Sequence, residues 1–264
     1  MAENILEQLA AYARTRVEQA KAVRPLADVK AAALAQPKRD FAFEKALAQP
    51  GVRFICECKR ASPSKGLIAP VFPYLDIAKE YAAAGADAIS VLTEPKWFLG
   101  RDEYLQQIAA AVPVPCLRKD FTVDEYMIYE AKLLGASAVL LICSLLDTET
   151  LHQYLGICDA LGLSALVEAH DEQEIASAAA AGARVIGVNN RNLKNFTVDV
   201  TNSLALRQKA PPEVLFVAES GITSPSDVSA LRAAGVDAVL VGEALMRAPD
   251  KAAALAALRG VDTP

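Results

Sequence analysis

The feature that most constrains the fold is a pattern that occurs four times: a helical stretch, a glycine and an apolar strand. The glycines are Gly85, Gly135, Gly182 and Gly235, spaced 50, 47 and 53 residues apart. Each can adopt the left-handed conformation that ends a helix, and the residues after it are apolar enough for a buried strand. A repeat of this kind predicts an α/β architecture built from similar units.

A second set of apolar strands lies between successive copies of this pattern, beginning at Val114, Leu163 and Val214. Each is followed by residues with the spacing of a helix N-terminal capping box. The three pairs are Thr122 with Glu125, Asp171 with Glu174, and Ser224 with Asp227. A strand, a short loop and a capped helix therefore recur about every 25 residues.

Eight strands result when the count starts with the strand that contains Phe54. They are 53–58, 87–93, 114–119, 137–142, 163–168, 184–189, 214–219 and 237–242. Their near-continuous apolar character is typical of a parallel sheet covered on both faces. Eight strand–helix units over residues 51–264 predict a (β/α)8 TIM barrel. A doubly wound open sheet is the competing architecture, but it favours a glycine-rich fingerprint after the first strand, where this chain has Ser-Pro-Ser-Lys-Gly.

Residues 1–50 carry no strand signal. Apolar residues from Ile5 onward recur at helical spacing, and Pro25 separates this helix from a second one over 26–34. A third short helix is expected between Phe41 and Leu47. We predict an N-terminal helical extension that packs on the barrel, within a single domain of residues 1–264.

Composition limits the partners of the chain. Its net charge of −5 and its pI near 5.2 argue against nonspecific nucleic-acid binding. The five cysteines include no CxxC pair, so we expect reduced thiols and a reducing compartment. Residues 1–20 have no uninterrupted apolar core, and the longest apolar run, 138–143, is too short to span a bilayer. We therefore predict a cytoplasmic protein that binds neither nucleic acid nor membrane.

The end of the first strand carries Glu57 and Lys59 two residues apart, so their side chains lie on one face. They could form a structural ion pair, but charged or polar residues also follow nearly every other strand. These are Glu94 and Lys96, Lys119 and Asp120, Glu168 and His170, Asn189 to Arg191, Glu219, and Glu243. The carboxyl ends of TIM-barrel strands meet at one mouth, where catalytic groups lie. Their convergence favours an active site over a structural network.

The loops after the seventh and eighth strands predict a phosphate site. Ser220-Gly221 and Gly242-Glu243 lie where backbone N–H groups can approach an anion, and a short helix follows the eighth strand. We expect the Glu243 N–H to bind while the carboxylate faces away. Ordinary loop glycines are the alternative. An anionic substrate would also explain why cations gather at the mouth of an acidic protein.

Motifs along nearly the whole chain resemble those of the indole-3-glycerol-phosphate synthase family. They are Glu57-Cys-Lys59-Arg-Ala-Ser62-Pro63-Ser64-Lys65-Gly66, Arg118-Lys119-Asp120-Phe121, Val167-Glu168-Ala-His170, Val188-Asn189-Asn190-Arg191-Asn192-Leu193, Ala218-Glu219-Ser220-Gly221-Ile222 and Val241-Gly242-Glu243-Ala244-Leu245-Met246. Departures are Asn192 where Asp is common, Ala169 where Val is common, and Ala244 where Ser is common. The last would weaken one hydroxyl contact to phosphate. Because the chain ends soon after the eighth strand, we expect the monofunctional form. We also expect a monomer.

The resemblance implies a carboxy-lyase of tryptophan biosynthesis. It closes the ring of 1-(2-carboxyphenylamino)-1-deoxyribulose 5-phosphate with loss of carbon dioxide and then water, giving indole-3-glycerol phosphate. Lys119 is implied as the acid that protonates the ketone oxygen, while dehydration needs an acid and a base drawn from Glu57, Lys59 and Glu168. Implied substrate contacts are Ser62, Phe121, Asn189, Arg191, Leu193, Glu219 and Ser220, with phosphate at Gly221, Gly242 and Glu243. No metal or organic cofactor is implied.

Two other functions stay open at this point. A phosphoribosylanthranilate-type isomerase would need an acid–base pair but no two lysines at the first and third strands. Cys58 could be the base of a related isomerase, although its parity along the strand directs it toward the helices. A catalytically silent sugar-phosphate-binding barrel would not need Glu57, Lys59, Lys119 and Glu168 together. His170 is expected to orient or to lie at the surface, and Lys65 either closes over the substrate or is a plain loop charge.

Overall fold

The protein is described by a computed structural model over residues 4–192 and 196–260. The predicted contact Leu193 therefore lies outside the described residues. Eight parallel strands pair in chain order and close into a barrel, since the first strand pairs with the eighth. The barrel strands are Arg53–Cys58, Ala88–Leu92, Cys116–Lys119, Ala138–Ile142, Ser164–Ala169, Val185–Asn189, Leu215–Glu219 and Ala238–Val241. The predicted TIM barrel is confirmed.

Helices alternate with these strands, and a two-stranded hairpin of Ala61–Ser62 with Gly66–Leu67 lies in the loop after the first strand. The helices are α1 (Ile5–Val23), α2 (Leu26–Ala35), α3 (Ala42–Leu47), α4 (Tyr74–Ala83), α5 (Asp102–Ala111), α6 (Glu125–Leu133), α7 (Thr148–Leu161), α8 (Glu172–Ala181), α9 (Thr201–Arg207), α10 (Pro225–Ala233), α11 (Glu243–Arg247) and α12 (Lys251–Arg259). None of the helices described in 4–192 and 196–260 is long and apolar enough to cross a bilayer.

The glycines of the repeat end their helices as predicted. All four have positive φ, between 81° and 93°, a conformation that costs glycine little because it has no Cβ. Ser224 and Asp227 form a reciprocal capping box, and the Asp171 side chain accepts the Glu174 N–H.

The predicted cap at Thr122 is wrong. Helix α6 begins two residues later than that cap requires, and the Asp124 side chain accepts the Tyr126 N–H there instead. Thr122 is buried in the loop that leaves the third strand. An aspartate at the N-cap position satisfies a free N–H as well as a threonine does, so the local pattern does not separate the two.

The N-terminal helices contact both ends of the barrel. Leu6 and Leu9 of α1, and Phe43 of α3, belong to the same buried cluster as barrel-interior residues such as Leu166. Helix α3 lies at the amino ends of the strands, because its Glu44 N–H donates to Ser164 at the start of the fifth strand. Helix α1 lies at the carboxyl ends, because its Arg16 donates to Asp120 after the third strand, and α2 packs on α6.

Candidate active site

A cavity of about 580 Å³ opens at the carboxyl ends of the barrel strands. Every described residue to which the family resemblance gave a catalytic, substrate-binding or phosphate-binding role contributes to its lining. These residues are Glu57, Lys59, Ser62, Lys119, Phe121, Glu168, Asn189, Arg191, Glu219, Ser220, Gly221, Gly242 and Glu243. The structure therefore brings together, in one cavity, side chains from six strands and the loops after them.

Their convergence follows from strand parity. Lys119, Asn189 and Glu219 are the last residues of the third, sixth and seventh strands, and Glu57 and Glu168 are the next to last of the first and fifth. Parallel strands present their carboxyl ends at one edge, and alternate residues of each strand point into the barrel. The site thus consists of the uppermost inward-facing positions of the barrel.

Lys119 lies between two carboxyl groups. Its Nζ is 3.1 Å from Glu168 Oε2 and 3.6 Å from Glu219 Oε2. Burial lowers the pKa of Lys119, but the two nearby carboxyl groups and Glu57 outweigh burial and hold its pKa above the ordinary value. Lys119 is therefore a half-buried ammonium ion.

The two carboxyl groups beside Lys119 differ in charge. Burial raises the pKa of Glu168, but Lys119, His170 and a 3.3 Å hydrogen bond from Asn189 outweigh it and leave the pKa below the ordinary value. Burial and the negative charge of Glu168 raise the pKa of Glu219 to about 8, although the positive charge of Lys119 lowers it. Glu219 Oε1 receives no hydrogen bond within 4–192 and 196–260. Near neutral pH, Glu168 is thus a carboxylate and Glu219 retains a proton.

Glu57 and Lys59 form the ion pair expected from their spacing, with Oε1 and Nζ 2.6 Å apart. Ser90 donates a hydrogen bond of 3.2 Å to Glu57 Oε2. Burial raises the pKa of Glu57, but Lys59 and Lys119 outweigh it, so the pKa lies below the ordinary value. Gly242 gives this pair its room, since a Cβ there would lie 2.6 Å from Glu57 Oε1 and 3.0 Å from Lys59 Nζ. Gly242 is therefore more than an ordinary loop glycine.

The predicted phosphate loops have unusual backbone geometry. Ser220 and Gly221 have φ of 67° and 81°, two successive left-handed residues of which the first is not glycine. A Cβ on Gly221 would lie 2.5 Å from Val198 Cγ1. Such left-handed turns orient backbone N–H groups toward one side, which suits an anion.

The carboxylate of Glu243 is held by cations outside the backbone turn. Its Oε1 accepts a hydrogen bond of 3.0 Å from Arg247 Nε, and its Oε2 is 3.7 Å from Lys65 Nζ. Lys65 therefore joins the hairpin loop after the first strand to the loop after the eighth. Both Lys65 and Arg247 line the cavity.

An apolar wall faces these charged groups. The rings of Phe98 and Phe121 lie 6.0 Å apart, and Ile5 and Leu9 of α1 extend the wall. Our sequence reasoning missed Phe98, Ile5 and Leu9. The available signals were the aromatic pair Trp97-Phe98 after the second strand and the apolar face of α1, but neither pattern specifies which cavity it meets.

Glu94 does not act as the mouth charge that we predicted. Its carboxylate is fully buried and accepts hydrogen bonds of 2.8 to 2.9 Å from the backbone N–H groups of Lys96, Trp97 and Phe98. Its role is to fold the loop that carries Phe98. A carboxylate that accepts three N–H groups has its lone pairs committed to the backbone.

An ion pair joins α1 to the active site. Arg16 donates two hydrogen bonds, of 3.1 and 2.6 Å, to Asp120, which is 1% exposed and adjacent to Lys119. Thr93 Oγ1 donates a third, of 2.6 Å. Burial raises the pKa of Asp120, but Arg16 outweighs it and lowers the pKa below the ordinary value. The helical extension is thus electrostatically fixed beside the third strand end.

The thiol of Cys58 does not reach the cavity. It is buried among residues between barrel and helices, and burial raises its pKa well above the ordinary value. This position argues against a cysteine-base isomerase. Within residues 4–192 and 196–260, no cluster of histidine, cysteine and carboxylate side chains has the composition of a metal site.

Comparisons with known proteins point to one enzyme family. The sequence model of the indole-3-glycerol phosphate synthase family matches residues 6–258. The chain is 58% identical to the indole-3-glycerol phosphate synthase of Ruminiclostridium cellulolyticum, over 97% of this chain and 99% of that protein. It is 56% identical to the enzyme of Lachnoclostridium phytofermentans, over 80% and 78% of the two chains.

Among solved structures, a 3-hexulose-6-phosphate synthase superposes with a TM-score of 0.65 at 20% identity, over 80% of this chain and 100% of that one. An identity this low shows the barrel fold alone. The full-length matches to enzymes of one name carry the further conclusion. The chain belongs to the indole-3-glycerol phosphate synthase family.

Proposed function

We propose that this chain converts 1-(2-carboxyphenylamino)-1-deoxyribulose 5-phosphate into indole-3-glycerol phosphate, carbon dioxide and water. Family membership supplies the reaction, and one observation carries its assignment to this cavity. The Lys119 ammonium is paired with the Glu168 carboxylate in the cavity that Phe98 and Phe121 also line. A substrate with an aromatic ring at one end and a phosphorylated sugar at the other needs these two surfaces.

Lys119 is the proposed acid of ring closure. The ring carbon that bears the carboxylate attacks the ketone carbon, and the ketone oxygen takes up the displaced electron pair. Lys119 donates a proton to this oxygen as its charge develops. The raised pKa keeps Lys119 protonated until ring closure begins. The transfer is then favourable because an alkoxide is a stronger base than an amine. Glu219, protonated near neutral pH and 3.6 Å away, can return a proton to Lys119.

Decarboxylation then breaks the bond between the ring and its carboxylate and returns the electron pair to the ring. The apolar wall assists this step, since a charged carboxylate beside Phe98 and Phe121 is poorly solvated while carbon dioxide is neutral. Leu193 is expected to extend this wall. Asn189 and Arg191 orient the substrate in this proposal, with Ser62, Glu219 and Ser220 near its polar groups.

Dehydration needs an acid for the leaving hydroxyl and a base for the proton that is lost. The candidates are Lys59, Glu57 and Glu168. Lys59 and Glu57 are an ion pair 2.6 Å apart, and Glu168 lies 3.1 Å from Lys119. Backbone N–H groups at Gly221, Gly242 and Glu243 bind the phosphate in this proposal, and no metal or cofactor takes part. The protein is expected to act as a cytoplasmic monomer of one domain, which light scattering and a single unfolding transition would test.

Purified protein supplied with the carboxyphenylamino substrate should develop indole fluorescence and release carbon dioxide. Lys119→Ala should abolish turnover. The thermal midpoint should stay within a few degrees of wild type, which corresponds to a stability loss of roughly 1 kcal/mol, since a loss of that size shifts the midpoint of such a domain by about 2–4 °C. Lys209→Ala is the matched control, because Lys209 is half exposed and pairs with Glu172 on the surface. Absence of turnover by folded wild-type protein would favour the silent barrel, and a collapsed Lys119→Ala variant would make Lys119 structural.

A further inference from the structure

We propose that His170 is a positioning residue for the reaction, holding Glu168 as an ionised base through a chain that runs from Glu174 to His170 to Glu168. The inference rests on the proposed function, because it concerns the same cavity. The sequence motifs predict only an orienting role or a surface position for His170. The contacts of its ring indicate a more specific role.

The two ring nitrogens of His170 face different carboxyl groups. Nε2 lies 3.5 Å from Glu168 Oε1, while Nδ1 lies 3.1 Å from Glu174 Oε2. The same Glu174 oxygen accepts the backbone N–H of His170 at 2.7 Å, and the Ser144 hydroxyl donates to the other Glu174 oxygen. Glu174, in the first turn of α8, is therefore fixed by several donors, and it fixes the imidazole in turn.

The identity of these partners determines where the protons lie. Burial raises the pKa of Glu174, but hydrogen bonds from His170 and Ser144 outweigh it, so Glu174 is a carboxylate that accepts from Nδ1–H. Nε2 then carries either a lone pair or a second proton. A lone pair 3.5 Å from a carboxylate oxygen is repelled, whereas N–H is attracted. While Glu168 is ionised, His170 is therefore an imidazolium ion.

Carboxyl groups from three elements face this ring. They are Glu168 on the fifth strand, Glu174 on α8 and Glu219 on the seventh strand, with Lys119 paired to the other oxygen of Glu168. Near neutral pH, Glu168 and Glu174 are the ionised ones and favour the cation, while Glu219 keeps its proton. Burial lowers the pKa of His170, but the hydrogen bond to Glu174 and the charges of Glu168 and Glu174 raise it above the ordinary value. Its ring is 20% exposed, so these charges are only partly screened.

Glu168 thus has a cation on each side. Lys119 is the nearer, but in the proposed reaction it gives up its proton and its charge. A carboxyl group 2% exposed would then take up a proton readily, because burial disfavours its charged form. The imidazolium of His170 keeps Glu168 ionised through this step. His170 acts through Glu168 and does not need to touch the substrate.

The pH dependence of kcat/KM tests this role. In His170→Asn the acid limb should move to higher pH by about one unit, which lowers activity on that limb about tenfold, with kcat affected more than KM. Glu174→Gln should shift it in the same direction by less, and His170→Lys should move it back. His152→Asn is the matched control, since His152 is exposed on α7 and contacts the Ala181 carbonyl. An unshifted limb in His170→Asn, or an equal loss at every pH, would overturn the inference.

A titration followed by NMR gives a readout that does not depend on turnover. The chain has two histidines, so the His152→Asn background isolates the His170 imidazole. Its pKa should exceed the ordinary value and fall in both Glu168→Gln and Glu174→Gln. If wild type does not turn over the substrate, the proposed function fails, while an unchanged His170 titration in Glu168→Gln overturns the coupling between the two side chains.

Discussion

Glu219→Gln should stabilise the folded protein at pH 8 more than at pH 6. The Glu219 carboxyl is 2% exposed, and its pKa is raised from 4.5 to about 8. At pH values between 4.5 and about 8, this carboxyl group is ionised in the unfolded chain and protonated in the folded protein. Folding therefore takes up a proton, and the free energy of unfolding of the wild type decreases as pH rises, by at most about 1.4 kcal/mol per pH unit.

The magnitude follows from this slope. Two pH units, from pH 6 to pH 8, correspond to a loss of up to about 3 kcal/mol from the wild type. Glutamine has the shape of the neutral carboxyl group and does not titrate, so the variant avoids this loss. The stability difference between variant and wild type should thus grow by up to about 3 kcal/mol, while turnover falls because the proposed proton source for Lys119 is gone.

Urea unfolding at the two pH values measures this difference. Glu172→Gln is the control, because Glu172 is exposed and pairs with Lys209, and a surface pair of this kind contributes at most about 1 kcal/mol. Its stability should follow that of the wild type at both pH values. A constant difference between Glu219→Gln and wild type would refute a protonated Glu219 in the folded protein.

Three further variants or treatments test other parts of the site. Arg16→Leu should lower the free energy of unfolding in urea by about 3 kcal/mol and reduce turnover, because it removes the ion-pair partner of the buried Asp120. Gly187→Ala should lower kcat at least about tenfold in steady-state assays, because the new methyl group would overlap the Glu219 carboxyl. Alkylation of the native protein should leave Cys58 unmodified by mass spectrometry and activity unchanged, because burial raises the pKa of its thiol.

The chain offers matched controls for these experiments. Arg14→Leu changes an exposed arginine on the same helix as Arg16 and should cost little. Gly156→Ala adds a methyl group within α7 where nothing lies within 4 Å, and it should stabilise slightly. Equal effects of Arg14→Leu and Arg16→Leu, full activity of Gly187→Ala, or inactivation by alkylation at Cys58 would each contradict the reasoning above.

Much of the site was predictable because a TIM barrel turns sequence order into spatial order. Once the strands were counted, the residues at their carboxyl ends had to meet at one mouth, as Lys119 and Glu168 do. The same reasoning was wrong for Glu94, which also follows a strand but accepts backbone N–H groups of its own loop. Strand position specifies the end of the barrel, while hydrogen-bond partners decide what a side chain does there.

The sequence by itself determined the eight-strand count, the glycines that end the helices, and the convergence of acids and lysines on one cavity. These features depend on local periodicity and on the parity of strands, which the chain records residue by residue. Only the tertiary structure decided that α1 forms part of the active-site wall, that Glu219 keeps its proton while Glu168 does not, and that His170 lies between two carboxylates. Those properties depend on distances between residues far apart in the chain, because burial and neighbouring charge set the protonation of each group.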